Sequence, residues 1–238
     1  MLYGIYNKFD AFFLINIVKT LNPINILECA PGVGRTASAI IAGLNKNEKI
    51  NYYMFEKDET KLSAMKKYCS SFDNIRFHFG TNIVKSDIKE IDNLDFLFID
   101  CFHDYILAKW FVHNLFNKVR INGLIHIHDI YFNSNGHGWE DAHVYKGTNH
   151  PDLIDIETIK SYYGPLYDKY KESEPITLFE PNIIERFCKL NEDSIEIFST
   201  SDMCYNLGIG PELGKDDGMV PPQCSFYIKV KGPLKTNV

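Results

Sequence analysis

Between Ile24 and Ile130, short apolar runs alternate with longer stretches in which apolar residues return every three or four positions. "INILECA" (24–30) precedes a helical pattern from about Thr36, and "INYYMFE" (50–56) precedes "KDETKLSAMKKYCSS". "IRFHF" (75–79) leads to a short helix near 82–90, "LDFLFID" (94–100) to a helix over 105–119, and "GLIHIHDI" (123–130) makes a fifth strand. In 105–119, Ile106, Trp110, Val112 or Phe111, and Leu115 follow helical spacing, and Ile121-Asn122-Gly123 supplies the turn into the next strand. Strands alternating with helices predict a parallel sheet. The earlier run "AFFLINIV" (11–18) reads as one face of an amphipathic helix within residues 1–22.

From Tyr131 to about Asn191 the rhythm breaks into text rich in Tyr, His, Asn, Gly and Pro, too long for a plain connection. It predicts a lid or substrate-binding insertion with a helix near 157–171. "SIEIFST" (194–200) and "CSFYIKVKG" (224–232) then predict a closing hairpin at one sheet edge. The expected fold is a single α/β domain over 1–238, Rossmann-like and doubly wound. Its seven-stranded, mostly parallel sheet has an antiparallel closing strand, and the insertion (131–191) follows the fifth strand.

Composition narrows the class. With 238 residues, 45% hydrophobic and 24% charged, the chain can bury a large core. A net charge of −6 without a Lys/Arg cluster argues against long nucleic acids as partners and leaves a small molecule as substrate. Six cysteines stand singly, and the chain start lacks a secretory pattern, so reduced thiols in the cytoplasm are expected. The Ala11–Val18 run is far below the ~20 residues that cross a bilayer, so no membrane role is expected. A homodimer is compatible with this profile.

The chemistry begins at "NILECAPGVGRTASAI" (25–40), a glycine turn between a strand and a helix. The spacing Gly32-x-Gly34-x-x-Ala37, with Glu56 downstream, also fits a dinucleotide site, so an NAD-dependent oxidoreductase or epimerase is one alternative. Glu28 discriminates: a carboxylate just before the turn repels a pyrophosphate and suits a ligand with a cationic amino group. S-adenosylmethionine has that group and no phosphate, and its ribose hydroxyls suit Glu56. The stretch Glu28-Cys29-Ala30-Pro31-Gly32-Val33-Gly34 resembles the first motif of the class I S-adenosylmethionine-dependent methyltransferases, with Ala30 at the first glycine position. The expected cofactor set is Glu28, Ala30, Gly32, Gly34, Thr36, Glu56, Lys57, Gly80, Thr81 and Asp100.

Asp100 ends the fourth strand, and His128 and Asp129 end the fifth. On neighbouring strands about 4.8 Å apart, Asp100 and Asp129 could share a cation, with Mg²⁺ the suitable choice; both also suit helix caps. Asp100-Cys-Phe-His103-Asp-Tyr105, with "NGLIHIHDI" and the closing "PPQCSFYIKV", resembles the macrocin O-methyltransferase and cephalosporin hydroxylase-like subgroup. That resemblance implies Asp100 as metal ligand and His103 as general base, beside Asp129 as a third catalytic residue. It also implies an acidic pair where this chain has His128 and Asp129, which leaves His128 as a substitute ligand. A sugar or glycoconjugate acceptor follows from the same resemblance. His137, Trp139 and Tyr105 are the substrate candidates, and His126, on the same strand face as His128, is expected in the core with a backbone hydrogen bond. The expected activity is O-methylation of a hydroxyl on a small or sugar-containing acceptor, with a non-catalytic cofactor-binding module as the alternative outside enzymes.

Overall fold

The computed structural model describes residues 8–101, 105–128, 130–133, 138–141, 160, 164–170, 180–200, 203 and 225–238. After α1 (Lys8–Leu21), the alternating segments form β1 (Asn25–Cys29), α2 (Arg35–Gly43), β2 (Ile50–Phe55), α3 (Glu59–Cys69), β3 (Ile75–Gly80), β4 (Leu94–Ile99), α4 (Tyr105–Asn114) and β5 (Val119–His128). A separate two-stranded sheet pairs β6 (Ile130–Asn133) with β7 (Gly138–Asp141). Two helices, α5 (Pro165–Tyr170) and α6 (Glu180–Leu190), precede the closing strands β8 (Ile195–Ser199) and β9 (Ser225–Val230).

The main sheet has seven strands in the order β3-β2-β1-β4-β5-β9-β8. β1 pairs in parallel with β2 and β4, and β4 with β5, whereas β9 runs antiparallel to both β5 and β8. The expected doubly wound sheet and antiparallel closing pair are therefore present. The chain winds outward from β1 through β2 to β3 and then crosses to β4 on β1's other side. That reversal opens a crevice beyond the carboxyl ends of β1 and β4.

Helices cover both faces, which explains why every residue of β4 is buried. On one face Ile26, Tyr52, Met54, Phe96 and Phe98 pack with Leu14 and Val18 of α1, Ala37 and Ile40 of α2, and Met65 of α3. On the other, Leu27, Leu97, Ile99, Ile125 and Ile127 pack with α4 and with Ile183, Ile184, Phe187 and Cys188 of α6. Phe187 meets Phe116 edge-on at 4.9 Å, an aromatic pair worth about 1 kcal/mol beyond its buried area. The stretch read as an insertion thus ends in a core helix.

Three local expectations are corrected. The helix near 82–90 is a single 3-10 turn, Ile83–Lys85, because Asn82 caps Val84 N at 3.0 Å and the Ser86 hydroxyl bonds back to Asn82 O. The helix over 105–119 stops at Asn114, whose side-chain amide donates to Trp110 O, and a 3-10 turn at Phe116–Lys118 follows. Ile121-Asn122-Gly123 is no inter-element turn. It lies inside β5, where the register with β4 shifts, Asn122 takes φ 68° and a Cβ at Gly123 would sit 2.9 Å from Leu94 O. The turn residues make a bulge.

Candidate functional site

The turn after β1 has a repeating backbone geometry. Ala30, Gly32 and Gly34 all adopt left-handed conformations, with φ of 60°, 56° and 86°. Every second residue swings the chain, so the turn stays tight until α2 begins. Glycine adopts this region without penalty, while Ala30 bears a cost of about 1–2 kcal/mol. Its N–H is anchored to Phe55 O at 2.8 Å, tying the turn to the end of β2. A Cβ on Gly32 would meet nothing within 4 Å, whereas one on Gly34 would run into Met65 Sδ of α3. The two glycines therefore serve different needs: Gly32 a conformation, Gly34 a conformation and a close approach.

Glu56, immediately after β2, is 6% exposed and holds the turn from the side. One carboxylate oxygen accepts from Gly32 N at 2.9 Å and the other from Asp58 N at 2.9 Å. A carboxylate has about four acceptor positions, so two remain for ligand hydroxyls. Gly80 ends β3 alongside it: Glu56 N donates to Gly80 O at 3.0 Å, and a Cβ there would collide with the Phe55 ring. Lys57 and Thr81 follow these two strand ends and are exposed. Glu56, Lys57, Gly80 and Thr81 thus gather at one end of the sheet beside the turn.

Glu28 shares its strand face with Ile26, beneath α2, and has no accessible surface. It accepts hydrogen bonds from the Thr36 hydroxyl in the first turn of α2 and from the Tyr52 hydroxyl on β2. Thr36 is 5% exposed, with its hydroxyl engaged by Glu28. Burial pushes the Glu28 carboxyl up from 4.5 to about 7. The two hydroxyl bonds pull it down, and the charges of Asp100 and Glu56 push it up. Burial, Glu28's charge and the hydrogen bond to it drive the Tyr52 phenol well above its usual range.

Asp100 stands where the crevice opens. Its N–H donates to Cys29 O at 3.3 Å, carrying the β1–β4 ladder one step past β4. Its carboxylate, about one-third exposed, lies 3.5 Å from His128 Nδ1 at the end of β5. Asp100 and His128 are therefore brought together, as neighbouring strand ends require. His126, two residues earlier, is buried against Phe98 (4.5 Å, edge-on) and Tyr227 (4.2 Å). The expected backbone bond is absent: neither of its ring nitrogens has a hydrogen-bond partner among the described residues, and burial lowers its pKa well below 6.5. It is a neutral core residue.

Tyr105, at 2% exposure, packs in the core of the α4 face. Trp139 is placed on β7 opposite Phe132 of β6. His103, Asp129 and His137 lie outside the described residues, as do Cys204 and Cys224. Cys29, Cys69 and Cys188 are free thiols. No described helix is long and apolar enough to cross a membrane.

The expected Mg²⁺ finds one carboxylate, Asp100, and one imidazole, His128, among the described residues. No described group of three His, Cys, Asp or Glu side chains could hold a metal. Asp129, the second carboxylate expected for that oxygen-rich shell, lies outside the described residues.

Sequence reasoning missed Tyr52, which bonds the buried acid, and α6, which completes the core. Strand parity was the available signal for Tyr52: it lies on the Glu28 face.

Residues 29–130 match the family described as a methyltransferase domain. No curated protein sequence matches the chain. Among solved structures, the chain resembles the O-methyltransferase TomG of Streptomyces achromogenes, involved in tomaymycin synthesis and solved with S-adenosylmethionine. The identity is 10%, the TM-score 0.53, and the match covers 93% of this chain and 79% of that one. A putative caffeoyl-CoA O-methyltransferase from Staphylococcus aureus matches at 15% identity and TM-score 0.53, over 96% and 86% of the two chains. An O-methyltransferase from Bacillus cereus, solved with adenosylhomocysteine, matches at 13% and 0.50, over 98% and 84%. At such identities the likeness is one of fold. The methyltransferase-domain match over residues 29–130 takes in the left-handed turn after β1, the carboxylate after β2 and Asp100 after β4.

Proposed function

We propose that the protein transfers the methyl group of S-adenosylmethionine to a hydroxyl of a small or sugar-containing acceptor. One observation carries the reading: Asp100 stands one residue past β4, hydrogen-bonded to the β1 end of the cofactor turn and 3.5 Å from His128. An acidic group is thereby fixed where an acceptor must approach the cofactor. The O-methyltransferases among the similar folds support transfer to oxygen.

In this reading the backbone of Ala30–Gly34 receives the methionine end of the cofactor, and the free acceptor positions of Glu56 receive the ribose hydroxyls. When bound, the cofactor supplies an electrophilic methyl on a sulfonium. An acceptor hydroxyl that took this methyl would give up its proton. His103, which falls between β4 and α4 in the chain, takes that proton; an imidazole with its usual pKa near 6.5 is a competent base at neutral pH. Asp100 orients the attacking hydroxyl. No step is assigned to a metal. Asp129 beside His128 would be the residue to complete a shell.

Trp139, on the small β6–β7 sheet after β5, is the proposed acceptor-binding aromatic, its flat face suited to a sugar ring, with His137 beside it in sequence. The test is incubation of the protein with labelled S-adenosylmethionine and a pool of hydroxylated small molecules and glycans, read by mass spectrometry. A gain of one methyl on an acceptor oxygen, lost in His103→Ala, is expected. Methylation on nitrogen or carbon alone would refute oxygen as the acceptor atom, and full activity in His103→Ala would refute the base.

A further inference from the structure

Three strands place rings side by side on the α1 face of the sheet. On β5, His126 stands opposite Phe98 of β4 and Tyr227 of β9 in the register, and its ring meets theirs at 4.5 Å and 4.2 Å. It has no accessible surface, and neither ring nitrogen finds a hydrogen-bond partner among the described residues. Burying two such nitrogens costs free energy unless something bonds them, because water satisfies both in the unfolded chain. The surroundings are more polar than a core requires. His128, two residues on and on the same strand face, is 2% exposed, with its ring centroid 6.4 Å from that of His126. Asp10 of α1 is 1% exposed and shares a helical stripe with Leu14 and Val18, which pack with Phe96 and Phe98. The two imidazoles stand too far apart for a direct hydrogen bond, at a separation that one bridging water spans. Buried waters sit where otherwise unpaired polar groups converge. His128 Nδ1 lies 3.5 Å from the Asp100 carboxylate, which favours a proton on that nitrogen and makes Nε2 an acceptor.

We propose that His126 is a positioning residue that holds one internal water against His128 and thereby sets the ring that faces Asp100 at the crevice. A His126 ring N–H donates to the water, the water donates to His128 Nε2, and His128 Nδ1–H points to the Asp100 carboxylate. No proton is transferred along this chain; it orders the groups it joins. Phe98 and Tyr227 flank the His126 ring and fix the direction of its N–H. The bond at Nε2 in turn selects one tautomer and one orientation of His128, so the carboxylate beside it keeps its place one residue past β4. The consequence for catalysis rests on reading Asp100 as the residue that orients the acceptor hydroxyl, and the water bridge itself does not.

Nitrogen NMR of histidine-labelled wild-type protein, with neither cofactor nor acceptor added, tests the bridge. The expected spectrum shows a His126 ring N–H in cross-relaxation with a long-lived water, and His128 in a single tautomer protonated on Nδ1. His126→Phe keeps a ring between Phe98 and Tyr227 and removes both nitrogens. It should abolish the water signal and turn His128 into a mixture of tautomers, which loss of a merely structural side chain would not do. Urea unfolding gives a second readout of opposite sign for the two cases. Replacing an unbonded buried imidazole by an apolar ring of similar shape raises the midpoint, whereas removing a bonded one lowers it, and a lower midpoint is expected. If His126→Phe fails to fold, the wild-type spectrum decides by itself. No water contact at His126 in wild type, or an unchanged His128 tautomer in His126→Phe, overturns this inference alone. A failure of methyl transfer bears on the role of Asp100 and leaves these signals as they are.

Discussion

Substituting alanine at Gly32 and at Gly34 applies the same chemical change to two positions of one turn, and the structure predicts different costs. At Gly32, φ is 56° and the added methyl meets nothing within 4 Å, so the cost is conformational only. The left-handed backbone costs about 1–2 kcal/mol for a side-chain-bearing residue, and stiffening of the unfolded chain returns about 0.4–1 kcal/mol. The net loss is about 0–1.6 kcal/mol, with a midpoint of about 0.8 kcal/mol. At Gly34, φ is 86° and the methyl also enters the space of Met65 Sδ, which is buried under α2. Overpacking adds about 1–3 kcal/mol, towards the lower end because a methionine's end can shift. Urea unfolding of both variants should therefore show Gly34→Ala less stable than Gly32→Ala by at least about 1 kcal/mol. Combining Gly34→Ala with Met65→Ala should remove most of that excess, a coupling visible in a double-mutant cycle. Equal losses at the two glycines, or no coupling to Met65, would refute the account of the turn.

Other expectations follow from neighbouring residues. Glu56→Ala should weaken adenosylhomocysteine binding by about 10–100-fold in calorimetry, the worth of one or two hydrogen bonds to a charged group; unchanged affinity would remove the ribose assignment. Asp95→Ala removes the carboxylate that accepts from Ile24 N and Asn25 N, both at 2.7 Å, and from Arg120. Each backbone bond to this charged acceptor is worth about 1.5–3 kcal/mol and the exposed Arg120 adds little, so the loss in urea unfolding should be about 3–5 kcal/mol, with cofactor affinity in the folded protein unchanged. Glu28 also sets a pH dependence of stability. Between about 4.5 and 7 the folded protein keeps a proton that the unfolded chain has lost, so stability falls as pH rises, by about 3 kcal/mol over the whole window. Glu28→Gln should flatten that slope in chemical denaturation followed from pH 5 to 8, and an unchanged slope would show that Glu28 ionises freely in the fold.

The parallel strands were legible because strands covered on both faces leave short, strongly apolar runs, and β1 to β4 lie within a residue of where those runs stand. The β5 start was not, because Asn122 and Gly123 form a bulge and a bulge uses the same residues as a turn. α6 was hidden for a related reason: "EPNIIERFCKL" has its four buried residues on helical spacing, but stretches rich in turn-formers precede it. At the site, residue types located the turn and the two acids that frame it. Their orientation was less accessible. Glu28 lies one strand period from Ile26, which puts it under α2, and only the packing of Thr36 and Tyr52 makes that burial tolerable. The alternate spacing of Ala30, Gly32 and Gly34 held the backbone solution in plain view, and Ala30 is the position where that solution carries strain.

The central claim is that the turn after β1 and the carboxylate of Glu56 hold a sulfonium nucleoside rather than a dinucleotide. Calorimetric titration of wild-type protein and Glu56→Ala with S-adenosylmethionine, adenosylhomocysteine and NAD tests it most directly. Saturable binding of both adenosyl ligands, weakened in Glu56→Ala, and no binding of NAD are expected; binding of NAD with neither adenosyl ligand would overturn the cofactor assignment.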